Sequence, residues 1–157
     1  MTQEQKELLL KDISARLPYG VWVKDIHTNI IRKLSNIVVH PLYDGNNIKD
    51  YICSIKMFDD HYVDIEYIRL FLYPLSSMTE EQANELFDLF GISLLDSIGG
   101  DYIKINECTG ITFFLNKGFD VETHLDKLLD WLNRNQFDWR NLIEKGLALD
   151  ATGLNLY

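Results

Sequence analysis

The residue types with the most chemical potential in this chain are a run of acids around one histidine. The run DDHYVDIE, residues 59–66, mixes carboxylates with an imidazole, and both are ligand types that divalent cations accept. On a strand, however, Asp60, Asp64 and Glu66 share one face while His61 points to the other. No glycine-centred calcium loop is present either. We therefore expect a structural role for this segment and no bound metal.

The two cysteines offer no activated nucleophile. Cys53 and Cys108 form no CxxC pair, and neither lies near a histidine in a zinc-like spacing. Cys53 falls on the apolar side of a predicted strand, where a thiol usually packs, whereas Cys108 falls in a predicted turn and is more accessible. No GxSxG, GxxxxGK[ST] or GxGxxG motif occurs, and Gly99-Gly100-Asp101 is typical of a turn. The sequence predicts no catalytic residue and no cofactor.

The segment DWLNRNQFDWRNLIEKGLALD, residues 130–150, combines aromatic rings with arginine, as binding hot spots do. Phe137 fits the position before a helix cap in a hydrophobic staple, which favours core packing for Phe137 and Trp139. Trp131 lies off the apolar stripe of its predicted helix, and Arg140 is charged. We expect Trp131 and Arg140 to be exposed and to contribute to a binding surface.

Charge is unevenly distributed along the chain. Fifteen Lys and Arg residues against 24 Asp and Glu give a net charge of −9, which argues against general nucleic-acid binding. No basic residue lies between Arg69 and Lys104. Such a region can attract a basic partner, repel nucleic acid, or only keep the protein soluble. The acidic residues of this region are Glu80, Glu81, Glu85, Asp88, Asp96 and Asp101.

Local patterns predict an α+β fold with a mostly antiparallel sheet of about five or six strands. Capping boxes at Thr2 and Thr79 begin an N-terminal and a central helix, and Asp120 and Asp138 cap two C-terminal helices, the second ending at Gly146. Alternating or β-branched runs predict the strands 21–23, 30–40, 51–57, 62–73, 102–105 and 111–115. No linker or repeat interrupts residues 1–157, so the sequence predicts a single domain.

Neither a membrane-spanning apolar run nor a secretory signal is present, so we expect a cytoplasmic protein. Cysteine usage agrees with that expectation, because two isolated thiols do not form a disulfide framework.

Three stretches carry a resemblance to a known family: KELLLKDISARLPYGVWV, YPLSSMTEEQ and DWLNRNQFDWRNLIEKGLALDA. Together they resemble short uncharacterised proteins from gut Bacteroidales bacteria and from their phages and prophages. The family motif FDYRGLI corresponds here to residues 137–143, with Trp139 for tyrosine and Asn141 for glycine. The lost hydroxyl argues against a required phenol acid, and Asn141 argues against a special backbone angle there. The resemblance implies a phage or mobile-element setting and assigns no functional residue.

The sequence favours a small acidic protein without enzymatic activity that binds another protein carrying a basic surface. The candidate binding residues are Trp131, Arg140, Glu80, Glu81, Glu85 and Asp88. Direct binding to nucleic acid or to a membrane is not expected. Two alternatives remain open: an enzyme or small-molecule binder whose site gathers His61 or His124 with carboxylates, and a structural or oligomeric component.

Overall fold

The structure is a computed structural model, and it describes residues 1–45, 47–90, 102–106, 110–114 and 121–157. Within these residues the chain forms three α-helices and eight strands. The helices are α1 (Gln3–Arg16), α2 (Glu80–Phe90) and α3 (Val121–Arg134). The strands are β1 (Trp22–Asp25), β2 (Ile31–Asp44), β3 (Asn47–Met57), β4 (Tyr62–Asp64), β5 (Ile68–Leu72), β6 (Tyr102–Asn106), β7 (Gly110–Phe114) and β8 (Ala148–Asp150).

The α+β class and the mostly antiparallel sheet are confirmed. Six strands form one sheet in the order β4-β3-β2-β1-β5-β8. The pairs β1–β2, β1–β5, β2–β3 and β3–β4 are antiparallel. Along β8 the hydrogen-bond partners advance in the same direction as β5, since Leu70 N–H donates to Leu147 O and Ala151 N–H to Leu72 O, so the sheet is mixed. The strands predicted at 102–105 and 111–115 form as β6 and β7, which pair antiparallel in a separate two-stranded sheet.

The prediction of one continuous strand over residues 62–73 is wrong. A 3₁₀ turn over Ile65–Tyr67 divides it into β4, at one edge of the sheet, and β5, between β1 and β8. The Asp64 carboxylate accepts the Glu66 N–H at 3.1 Å, so a side chain takes a donor that a strand ladder would use. The second half of the run, β5, is mostly buried.

Both predicted capping boxes are present. In α1 the Thr2 hydroxyl accepts the Gln5 N–H at 3.2 Å, and the Gln5 side chain accepts the Thr2 N–H at 2.9 Å. Thr79 and Gln82 exchange the equivalent bonds before α2, at 3.3 and 2.9 Å. Each box satisfies backbone donors that the first helical turn leaves unpaired. Gly91, a residue that would allow a left-handed end to α2, lies outside the described residues.

The second C-terminal helix is not formed. Residues 139–146 form turns instead, although the Asp138 carboxylate accepts the backbone N–H groups of Leu142 and Ile143, both at 2.8 Å. Asn141 has φ +57°, a left-handed conformation that interrupts a helix. The expectation that Asn141 needs no special backbone angle is therefore wrong, because asparagine tolerates this region better than most residues. After α3, Gln136 has a left-handed φ, +59°.

Replacing Asp138 by alanine is expected to destabilise the protein by about 1–3 kcal/mol, since buried backbone donors lose their acceptor. Asp138 is itself buried, so water cannot replace its carboxylate without rearrangement. Urea unfolding measures the change. Asp150→Ala is the matched control, because that carboxylate is exposed and accepts the N–H of Thr152. If both substitutions lower the free energy of unfolding equally, the Asp138 carboxylate is not a stabilising acceptor of buried backbone N–H groups.

The described chain forms two compact units. Unit 1 comprises Met1–Phe71, Glu144–Leu149 and Leu156–Tyr157, and unit 2 comprises Leu72–Ile143 and Asp150–Asn155. In the sequence, unit 1 has ten Lys and Arg against eleven Asp and Glu, a net charge of −1; unit 2 has five against thirteen, a net charge of −8. Nearly all of the net negative charge therefore belongs to unit 2. That the whole chain is a single domain stays a prediction.

Candidate functional site

An acidic groove runs between α2 and α3 in unit 2. Its volume is about 750 Å³. Helix α2 supplies Glu85 and Leu89, which lie one turn apart on one face of the helix. The residues that α3 supplies are Asp126, Lys127, Asp130, Trp131 and Arg134. We call this surface the α2–α3 groove.

Charges of both signs line the α2–α3 groove, with carboxylates in excess. Arg134 Nη2 lies 3.5 Å from Glu85 Oε1, and both side chains are about half exposed. Asp126 and Asp130 are exposed on α3. Between these charges, Leu89 is 53 % exposed. The groove therefore offers both negative charge and an apolar contact.

Trp131 is part of the core, so the expectation that it is exposed is wrong. Its side chain is 2 % exposed and stacks on Phe137 with ring centroids 5.8 Å apart. It belongs to a buried cluster with Leu86, Leu128 and Leu132. Although the ring borders the α2–α3 groove, Nε1 of Trp131 finds no hydrogen-bond partner in the described part of the chain. Core packing of Phe137, 1 % exposed, is confirmed.

Arg140 lies over the face of Trp139, with its guanidinium carbon 3.9 Å from the ring centroid. Trp139 is half-buried, packs against the same cluster, and donates its indole N–H to Asn133 Oδ1 at 2.9 Å. Trp139 therefore has the corner position that the sequence predicts, with its N–H satisfied. Arg140 is half-buried as well and does not line the α2–α3 groove.

The acidic candidates lie along α2. Glu80 and Glu81 are exposed in its first turn, and Glu81 lies one turn before Glu85 on the same face. Its own backbone N–H, and then the Thr79 hydroxyl, lower the pKa of Glu81. The side chain of Asp88 is outside the described part of the structure, as are Asp96 and Asp101. Of the six candidates, the groove brings together Glu85 and Trp131.

The carboxylates of the segment 59–66 bind neighbouring cations and backbone N–H groups. Asp59 Oδ2 accepts from Arg32 Nε at 2.9 Å, which lowers the pKa of Asp59. Asp60 lies 2.7 Å from Lys56 Nζ, and this hydrogen bond raises the pKa of Lys56. Within the described residues, no three His, Cys, Asp or Glu side chains come together as a metal site.

Of the two cysteines, Cys53 lies within the described residues. Burial, and then the Asp64 carboxylate, raise the pKa of the Cys53 thiol, which disfavours the thiolate. Cys108 and Gly99-Gly100-Asp101 lie outside the described residues, and so does the side chain of His124. None of the helices that the described residues form is long and apolar enough to cross a membrane.

A second surface, not anticipated from the sequence, lies on one side of the six-stranded sheet. This side is opposite the buried residues of the sheet. Burial alternates along β1, with Val23 buried and Trp22 and Lys24 half-buried on the other side. Directly opposed residues share a face. Lys33 faces Trp22, Arg69 faces Lys24, and Lys56 faces Tyr62. We call the six residues Trp22, Lys24, Lys33, Lys56, Tyr62 and Arg69 the outer sheet face.

Comparison with protein-family models, with curated proteins and with solved structures finds no match to this chain.

Proposed function

We propose that the chain is a binding module without enzymatic activity, and that the α2–α3 groove accepts a basic segment of a partner protein. The observation that carries the proposal is the coincidence of Glu85, Asp126 and Asp130 with the exposed Leu89 in one groove. A basic amphipathic helix offers the complementary pattern, cations on one side and apolar side chains on the other. Unit 2, with its net charge of −8, would attract such a segment at long range.

The setting of this function is also a proposal. The resemblance to Bacteroidales and phage proteins supports a partner among host or phage proteins of the bacterial cytoplasm. A partner protein with a basic surface would be steered by the field of unit 2 and held by the groove, so its association should weaken as salt increases.

A pull-down from a Bacteroidales lysate tests the proposal at about 50 mM and about 500 mM salt. We expect the wild-type chain to capture a basic protein that is lost at the higher salt concentration. The variant Glu85→Lys/Asp126→Lys should fail to capture it, because two attractive charges become repulsive. Glu4→Lys/Glu7→Lys changes the net charge equally on the exposed side of α1 and is the matched control. A partner that both variants retain, or the capture of no basic protein at low salt, would contradict the proposal.

A further inference from the structure

We propose that the outer sheet face of unit 1 binds single-stranded nucleic acid across its strands. This goes beyond the proposed function, because it concerns the other unit and a partner of opposite charge. The net charge of −9 argues against nucleic-acid binding only as an average over the chain. Because unit 1 is almost neutral, its acidic residues do not outweigh the positive charge of a basic face on it.

Four adjacent strands each place one cation on the outer sheet face. In spatial order these are Lys56 on β3, Lys33 on β2, Lys24 on β1 and Arg69 on β5. Neighbouring strands are about 4.8 Å apart. Residues offset by two positions, such as Lys33 and Lys24, are about 7–8 Å apart. A row of cations on adjacent strands suits a polymer that carries one negative charge in every repeat.

Lys24 and Lys33, the two central cations of this row, remain available to a ligand. No described carboxylate forms an ion pair with Lys24 or Lys33. Gly20 leaves room for the Lys33 side chain, since an added Cβ there would lie 2.5 Å from Lys33 Cε. Arg69 Nη1 donates to the carbonyls of Glu66 and Ile68, which fixes the guanidinium without neutralising it.

Two exposed aromatic rings lie beside the β3 end of the row. Tyr62, on β4, is 50 % exposed, and Phe58, in the β3–β4 turn, is 68 % exposed. Lys56 Nζ lies 5.7 Å from the centroid of the Tyr62 ring, and Lys33 Nζ lies 6.0 Å from that of Phe58. Unpaired bases stack on such rings while their phosphates meet the adjacent lysines. An acidic peptide would use the cations but has no planar bases for the rings, so this composition favours nucleic acid.

Carboxylates near the face limit the strength and the form of binding. Asp60 pairs with Lys56 at 2.7 Å, and Asp64 lies on the same face as Lys56. They offset part of the attraction, so binding is expected to be weak and salt-sensitive. Because the rings need unpaired bases, a duplex should bind less tightly than a single strand.

Fluorescence anisotropy of labelled oligo-dT and oligo-U of about 20 nucleotides tests the proposal, with a duplex of equal length and polyglutamate as competitors. We expect the single strands to bind at low salt, and the duplex and polyglutamate to compete poorly. Lys24→Glu/Lys33→Glu should weaken binding at least about ten-fold and reduce the slope of log K against log salt by about 1.4, because two phosphate contacts are lost. Lys6→Glu/Lys11→Glu, on helix α1 of the same unit, makes the same change in net charge and should change neither quantity as much.

A second variant tests the rings separately from the charges. Phe58→Ala/Tyr62→Ala should weaken oligo-dT binding at least about five-fold while leaving the salt slope unchanged. Absence of oligonucleotide binding by wild-type protein with native circular dichroism would overturn the proposal. So would equal affinity in all three double variants. Full competition by polyglutamate would instead assign the face to an acidic protein.

Discussion

Replacing Asp12 by alanine is expected to destabilise the protein by about 3–5 kcal/mol, because the substitution leaves a buried guanidinium without its counter-ion. Asp12 and Arg16 lie one turn apart on α1, and both side chains are 0 % exposed. Arg16 Nε donates to Asp12 Oδ2 at 2.7 Å, and Nη2 donates to Oδ1 at 3.2 Å. Such a bidentate pair is stable in the core only while both charges are present.

The matched variant removes both charges together. Asp12→Leu/Arg16→Met keeps similar side-chain volumes, and we expect its free energy of unfolding to be equal to or higher than that of the wild type. Replacing a whole buried ion pair by apolar groups is often neutral or stabilising, whereas removal of one partner is not. Urea unfolding of the three proteins measures both differences. A cost below about 1 kcal/mol for Asp12→Ala would show that water reaches the pair.

Local signals predicted the beginnings of α1 and α2 and the strands β6 and β7 correctly. Thr2 and Thr79 act through residues only three positions away, so the sequence contains the whole interaction. The same local reasoning was wrong for the turns at 139–146. Asp138 supplies a helix-type cap and Gly146 a left-handed stop, but Asn141 also takes a left-handed angle between them. A side chain that tolerates two backbone regions does not reveal which of them it occupies.

The two surfaces were harder to predict because their residues meet only through tertiary structure. The acidity of α2 is visible in the sequence, but the groove also needs Asp126 and Asp130 from a helix some forty residues later. On the outer sheet face each cation comes from a different strand, so strand order and register decide which side chains meet. The 3₁₀ turn after β4 interrupts the strand, so that Arg69 lies on β5, which pairs with β1. The alternation of residue types in the sequence does not indicate this interruption.

Replacing Trp131 by alanine is expected to destabilise the protein by about 3–5 kcal/mol, the usual cost of removing a large aromatic side chain from a core. The ring is 2 % exposed, it stacks on Phe137 at an interplanar angle of 15°, and it closes the cluster formed with Leu86 and Leu132. A hot spot on the surface would behave differently, since its removal weakens partner binding and leaves the free energy of unfolding almost unchanged.

Trp131→Phe distinguishes the ring from its polar atom. Phenylalanine keeps most of the buried apolar area and removes the indole N–H, which has no acceptor among the described residues. The lost volume destabilises, and removal of a buried unsatisfied donor stabilises by about 1–3 kcal/mol, so we expect a net change below about 1.5 kcal/mol. Thermal and urea unfolding of both variants measure the role of Trp131 in stability, and the pull-down measures its role in partner binding. If Trp131→Phe is as unstable as Trp131→Ala, the indole N–H has a partner in the folded chain. If Trp131→Phe is stable but no longer captures the basic partner, Trp131 contacts that partner directly in the α2–α3 groove.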